Sequence, residues 1–381
     1  MHRPPSYFDH NATTPVRPEV CAEMVRVMQE ASANPSSIHQ AGQHARHVLE
    51  TARRRTAAWL GCEAKEIVFT GGGTEASNIA ILGFARQRPG THIVTTAIEH
   101  PAVLNPCAQL EKEGFAVTYV GVSRDGVVDP DDIRRALRPN TALVSLMHAN
   151  NEIGTLQPIA DVITIAHEVG VAVHCDGVQA AGKVPVNLRA LGVDLYNISA
   201  HKFYGPKGCG ALFVRKGTVL KSVLYGGRHE HGLRPGTENV AAAAGLAKAA
   251  ELATATDPAL RDRFEQQMLA LVPDVIINGA GAPRLPNTSN LCFPGIEGEA
   301  MVIALDLRGF AVSSGSACSS GAVEPSHVLM AIGLSRKDAK SSIRISLGAS
   351  NTEADVDALA EALSECASHL RKLSPEYSHA G

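Results

Sequence analysis

The chain has 381 residues, 45% of them hydrophobic, and its 35 Lys+Arg against 38 Asp+Glu leave a formal net charge of −3. That length supports two or three domains with ample core. Near-balanced charge, with no basic block beyond Arg53-Arg54-Arg55, speaks against nucleic acid or an anionic membrane as a partner, and that triplet reads as a solvated helix face.

No apolar run reaches the roughly 18–20 residues of a membrane span, and the first residues lack a signal-peptide core, so a cytoplasmic location is expected. The eight cysteines carry no Cys-x-x-Cys pair. This argues against a disulfide framework or a zinc knuckle and makes most of them small buried hydrophobes.

In chain order, Ile67-Val68-Phe69 reads as a strand. It runs into Thr70-Gly71-Gly72-Gly73-Thr74-Glu75 and then a helix over 79–86. Glycines let backbone approach an anion, and free N–H groups at a helix start bind one, although a plain tight turn looks the same from sequence. A second strand, His92-Ile93-Val94, is followed by Glu99-His100-Pro101, a helix start at which His100 can cap or can stack on a flat ring. Further short runs at 116–120, 142–146, 171–174, 194–198 and 211–214 alternate with helical patterns. Such alternation predicts an α/β fold with a mostly parallel, doubly wound sheet. Thr74, His100, Asn151, Asp176 and Lys202 all follow strand ends, where ligands of such sheets bind. After about residue 255 the strands at 275–277, 289–293 and 343–347 interleave with helices at 298–308 and 352–371. The expected division is a large domain over 15–255 and a smaller α+β domain made of 1–14 and 256–381.

Lys202, in Ser199-Ala200-His201-Lys202-Phe203-Tyr204-Gly205-Pro206-Lys207-Gly208, and Asp176, in Asp176-Gly177-Val178-Gln179, together read as a pyridoxal phosphate site. Lysine can hold the cofactor aldehyde, and an aspartate across the ring keeps the pyridine nitrogen protonated. Cys318 stands in Ser313-Ser314-Gly315-Ser316-Ala317-Cys318-Ser319-Ser320-Gly321, which suits a nucleophile on a loop better than a core filler. Arg344 is a lone charge in the apolar run Ile343-Arg344-Ile345. A guanidinium there can clamp a substrate carboxylate or make a structural ion pair.

Tyr7-Phe8-Asp9-His10-Asn11-Ala12-Thr13-Thr14-Pro15, Asn34-Pro35-Ser36-Ser37, Glu99-His100-Pro101-Ala102-Val103-Leu104, Asn150-Asn151-Glu152-Ile153-Gly154, the Lys202 motif and the Cys318 motif resemble the NifS/IscS-type cysteine desulfurases nearly end to end. The segment Arg284-Leu285-Pro286-Asn287-Thr288 leans toward the nitrogen-fixation NifS branch. The resemblance implies the aspartate-aminotransferase-like fold type I of pyridoxal 5'-phosphate enzymes, in a homodimer. It places cofactor attachment on Lys202, the ring-nitrogen partner on Asp176, the ring-oxygen partner on Gln179, the stacking base on His100 and another ring contact on Asn151. Phosphate contacts fall on Gly73, Thr74, Ser199 and His201, with Thr237 supplied by the other subunit. Arg344 matches the substrate-carboxylate clamp with Asn34 beside it, and Cys318 matches the nucleophile. The implied reaction turns L-cysteine into L-alanine and leaves the sulfur on Cys318 as a persulfide, for an iron–sulfur scaffold or another acceptor protein.

One departure is His231 where the family commonly has arginine; histidine keeps a donor but not a permanent charge. His229-Glu230-His231 is only a fragment of a metal site, so no resident metal is expected. Asn11 is read as a harmless variant. The alternatives are transamination, which needs no Cys318 thiol, selenocysteine cleavage by the same ring chemistry, a cluster scaffold, which the cysteine spacing opposes, and an inactive partner, which the intact Lys202, Asp176, His100 and Cys318 oppose.

Overall fold

The computed structural model describes residues 6–88, 90–314 and 324–373. Strand β1 (Ser6–Tyr7) precedes a large sheet made of β2 (Ile67–Thr70), β3 (His92–Thr96), β4 (Ala116–Val120), β5 (Thr141–Met147), β6 (Ala172–Asp176), β7 (Leu195–Ser199) and β8 (Gly210–Val214). Its seven strands lie in the order β2-β8-β7-β6-β5-β3-β4. Only β8 runs against its neighbours, pairing antiparallel with both β2 and β7. The mostly parallel sheet expected from the alternating pattern is the one formed.

The sheet is apolar on both faces because both are covered. Alternate side chains go to opposite sides: Val68, Ile93 and Leu143 join the cluster under α3 (Gly73–Ala85) and α4 (Pro101–Lys112). Ile67, Phe69, Val94 and Val144 join a second cluster with α1 (Pro18–Glu30), α2 (Gln40–Leu60) and the helix Val240–Leu252. Helix α3 begins at Gly73, six residues before the expected start, because the glycine turn itself winds into the first helical turn.

A second sheet, from β9 (Ile276–Ile277), β10 (Thr288–Cys292), β12 (Ser313–Ser314) and β13 (Ser342–Ser346), runs in the order β12-β13-β10-β9 and is antiparallel. It packs Leu291 and Ile343 against Phe264, Met268, Leu359 and Leu363 of the helices Ala259–Leu271 and Glu353–Leu373. Strand β11 (Phe310–Ala311) pairs in parallel with β1, and Phe8 joins this second core. Thus the N-terminal segment is stitched to elements 300 residues later in the chain.

The reading of Arg53-Arg54-Arg55 as a solvated face fails at Arg53. That side chain is buried, donating from Nη1 and Nη2 to Glu230 at 2.7 and 2.6 Å and from Nη1 to the Ile67 carbonyl at 2.8 Å. Glu230, at the left-handed φ of 43°, turns its carboxylate inward and also accepts from Phe69 N at 2.7 Å, so the pair pins strand β2 to α2. Every described cysteine is free; Cys107, Cys175, Cys209, Cys292 and Cys366 are buried, as expected of small hydrophobes.

Candidate active site

Strand ends set the site. Strand β7 runs into a short 3-10 turn, Ala200–Lys202, that delivers Lys202 beside the N-terminal segment. Its Nζ donates to the carbonyls of Asn11 at 2.6 Å and Ala12 at 2.9 Å. Asp176 closes β6 and is buried, with Oδ1 accepting from Val178 N at 3.0 Å and Asn197 Nδ2 at 3.1 Å. His100 caps α4: its Nδ1 accepts from Ala102 N at 3.0 Å, so the neutral ring carries its proton on Nε2. Burial lowers the His100 pKa; Asp176 opposes this, while Lys202 and His327 reinforce it. The cap reading of His100 is the one the structure shows, and the same ring lies within electrostatic reach of Lys202 and Asp176.

Beside Lys202 lies a cleft of about 630 Å³ lined by Gly71–Glu75, Ser199, His201 and Thr13 among others. Gly72 has φ of 152°, and a Cβ on Gly73 would stand 2.6 Å from Val178 Cγ2, so both positions need glycine. One amide of the turn already meets an anion: the Glu75 carboxylate, paired with Arg234 at 3.0 Å, accepts from Gly71 N. His201 bonds Thr13 Oγ1 through Nδ1 at 3.1 Å, and burial, with help from Lys202, Lys207 and Lys183, lowers its pKa to about 4. A neutral imidazole therefore lines the cleft at neutral pH. A phosphate-bearing ring with an aldehyde fits these donors: amides and small residues for the phosphate, Lys202 for the aldehyde, Asp176 for a ring nitrogen.

The residue missed from the sequence is Asn11. Its backbone carbonyl accepts from both Lys202 and Gln179 Nε2, the latter at 2.9 Å. Its Oδ1 takes Lys183 Nζ at 2.7 Å and Asn287 Nδ2 at 3.2 Å, while its Nδ2 reaches Thr288 Oγ1 at 2.8 Å and the Asn151 carbonyl at 3.3 Å. Far from harmless, Asn11 joins both sheets at the site. Lys183, also unremarked in the sequence, is buried and bonds Gln179 Oε1 at 2.6 Å; burial, then Lys202 and Arg344, lower its pKa well below the usual lysine range. A polar residue four past Gln179 on the same short turn was the available signal.

Asn150 shapes the Asn151 loop by accepting from Glu152 N and Ile153 N at 2.8 and 3.0 Å. Arg344 then reaches the Asn151 carbonyl from Nη1 at 3.0 Å and Asp9 Oδ1 from Nη2 at 2.7 Å, leaving Nε buried without a partner. The structural-ion-pair reading of Arg344 is thus present, and these two bonds use only two of the guanidinium's five N–H donors. Asn34 and Thr237 are exposed, and Asn34 Oδ1 accepts from Ser36 N at 2.8 Å in its own turn. His231 is exposed at φ of 58°. Among the described residues, no cluster of His, Cys, Asp and Glu could hold a metal ion. Cys318 lies outside the described residues.

A parallel-sheet enzyme with a strand-end lysine, an aspartate across from it and an anion cradle is a pyridoxal phosphate enzyme of fold type I. The family model "Aminotransferase class-V" matches residues 6–359, and the chain belongs to that family. A curated relative, "Cysteine desulfurase IscS" of Dictyoglomus turgidum, is 48% identical over 97% of this chain and 96% of its own length. The solved "NifS-like protein" superposes with a TM-score of 0.89 at 38% identity, covering 96% of this chain and 100% of its own. SspA, solved in complex with cysteine, gives 0.82 at 37% identity over 90% and 98%.

Proposed function

We propose that this chain is a pyridoxal-phosphate-dependent cysteine desulfurase that converts L-cysteine to L-alanine and passes the sulfur to Cys318, supplying iron–sulfur cluster assembly. The observation that carries the reading is that Lys202 and Asp176 both lie within electrostatic reach of His100, in a chain matching a protein named cysteine desulfurase over nearly its whole length. When bound, the cofactor supplies an electron sink for the substrate's Cα.

The chain's residues do the rest. Lys202 holds the cofactor and receives or returns a proton at Nζ; its parking place, when free, is the Asn11–Ala12 carbonyl pair. With the cofactor bound, Asp176 would hold its ring nitrogen, Gln179 its ring oxygen, and Asn151 and His100 would contact the ring. With Nδ1 spent on the Ala102 amide, His100 delivers a proton from Nε2. Gly73, Thr74, Ser199 and His201 hold the phosphate, completed by Thr237 of a second copy in a homodimer. Arg344 binds the substrate carboxylate through the N–H donors that its bonds to Asn151 and Asp9 do not use, sharing its charge with Asp9 and assisted by Asn34. Cys318, as thiolate, attacks the substrate sulfur while the carbon–sulfur bond breaks, leaving a persulfide for an acceptor protein. The division into a 15–255 domain and a 1–14 plus 256–381 domain, the cytoplasmic location and the lean toward a nitrogen-fixation role belong to the same proposal. Among the described residues no helix is long and apolar enough to cross a membrane.

Single-turnover reaction of the purified holoenzyme with L-cysteine tests it, following alanine and the mass of the Cys318 peptide. The expected result is alanine with one added sulfur on Cys318, both lost in Cys318→Ala while the cofactor stays bound. A wild type that binds cofactor but yields neither product overturns the reading.

A further inference from the structure

Three polar residues lie behind Asp176, one on each of strands β5, β6 and β7. Ser145, His174 and Asn197 are fully buried, which costs free energy unless each is partnered. Strand register brings them together. Ser145 is the partner of His174 across β5 and β6, and Asp176 is the partner of Asn197 across β6 and β7. His174 and Asp176, two apart on one strand, share a face. Ser145 Oγ lies 2.8 Å from His174 Nδ1, His174 Nε2 lies 2.9 Å from Asn197 Oδ1, and Asn197 Nδ2 lies 3.1 Å from Asp176 Oδ1.

The donor directions follow from chemistry. A carboxylate oxygen only accepts, so the Asn197 amide must turn its NH2 toward Asp176 and its oxygen away. That oxygen needs a donor, which fixes the proton of His174 on Nε2. Nδ1 then presents a lone pair, and the Ser145 hydroxyl donates to it. Burial lowers the His174 pKa to about 4, against smaller opposite pulls from Asp176 and Asn197, so the ring is neutral at neutral pH and keeps a single tautomer. Every N–H and O–H in the series thus points toward Asp176.

We propose that Ser145, His174 and Asn197 are positioning residues, a one-way hydrogen-bond relay that orients the Asp176 carboxylate and stabilises its negative charge for the cofactor's ring nitrogen. The inference rests on the reading of Asp176 as the ring-nitrogen partner. Val178 N shares Oδ1 with the relay, which leaves Oδ2 for the cofactor. Aligned dipoles of this kind strengthen one another in a low-dielectric interior.

Two experiments test it. In holoenzyme labelled with 15N-histidine, the resonance missing from a His174→Gln sample should report a neutral ring protonated at Nε2 across pH 6 to 9. A proton on Nδ1, or an imidazolium at pH 6.5, reverses the relay and overturns the proposal whatever Asp176 does. For function, Ser145→Ala should lower kcat about 3- to 10-fold with KM within about 2-fold, and shift the pH midpoint of the bound cofactor's absorbance. Asn197→Leu should lower kcat by roughly 10- to 100-fold. In an Asp176→Asn background Ser145→Ala should do nothing more, because its whole effect passes through the carboxylate. Additive losses in that cycle, or an unchanged absorbance midpoint in Ser145→Ala, mean a merely structural role and sink the relay. If instead Asp176→Asn alone leaves spectrum and rate at the wild-type level, the assignment of Asp176 fails, and the relay's catalytic role falls with it.

Discussion

Two regions meet at Lys202 and are built in opposite ways. On one side, the Gly71–Thr74 cradle is backbone, small residues and open cleft. On the other, the seam around Asn11 is made of buried side chains drawn from both sheets. A cradle of amides is specified by a few consecutive residues and tolerates little added bulk. A seam of side chains is specified by residues far apart in sequence, and its cost of disruption is the desolvation of whatever partner is left behind.

Substitution at the meeting point should have the largest effect: Lys202→Ala lowers alanine formation by at least ~10³-fold, with the denaturation midpoint little changed. An equally large loss of stability would show that Lys202 belongs to the seam as much as to the chemistry. Next, Asn11→Ala removes a side-chain partner from Lys183, Asn287 and Thr288 at once. It should cost about 3 kcal/mol in urea unfolding, and a loss under 1 kcal/mol would mean the seam is looser than its bonds suggest. On the cradle side Gly73→Ala drives a Cβ against Val178. The expected cost is about 1–2 kcal/mol, together with weaker cofactor binding in equilibrium dialysis. If stability falls and binding does not, Gly73 serves packing rather than the anion.

A further test concerns pH. Burial raises the Glu99 pKa to about 8, despite bonds from Thr96 and Met147 to its Oε1, and its Oε2 is buried without a partner. The folded state therefore keeps this proton longer than the unfolded chain does. The group's contribution is full below the ordinary carboxylate value of 4.5 and is lost as pH rises toward about 8. Glu99→Gln cannot ionise, so its midpoint relative to the wild type should rise between pH 5 and pH 8.5. Parallel curves would place the carboxylate in water rather than in the core behind His100.

The same contrast explains what was legible in the sequence. Each strand of the large sheet falls within about two residues of its expected place, since short β-branched runs between polar ends leave few alternatives. The cradle glycines, Lys202 and Asp176 were visible because strand ends and glycine runs are local patterns. Arg53 was misread because its partner, Glu230, is 177 residues away and inverts what a charge triplet usually means. Asn11 passed as harmless for the same reason: nothing near it in sequence hints at Lys183 or Asn287. His174 and Asn197 did carry a signal, as polar residues inside apolar strands beside Asp176, though only strand register shows that they touch.

The stitching of the N-terminal segment into the second sheet has a consequence for how the protein is made. Asn11 N bonds Ser346 Oγ across a separation of 335 residues. At about 5–20 residues per second, a ribosome completes one end of that bond roughly 20–70 s before the other. Once β8 has been made at residue 214 the large sheet can form, yet until β13 follows, the floor on which Lys202 rests lacks its anchor in the second sheet. Cofactor capture during synthesis should therefore lag behind formation of the sheet that carries the lysine, and a nascent chain stalled ahead of β13 would be compact but unable to hold its coenzyme firmly.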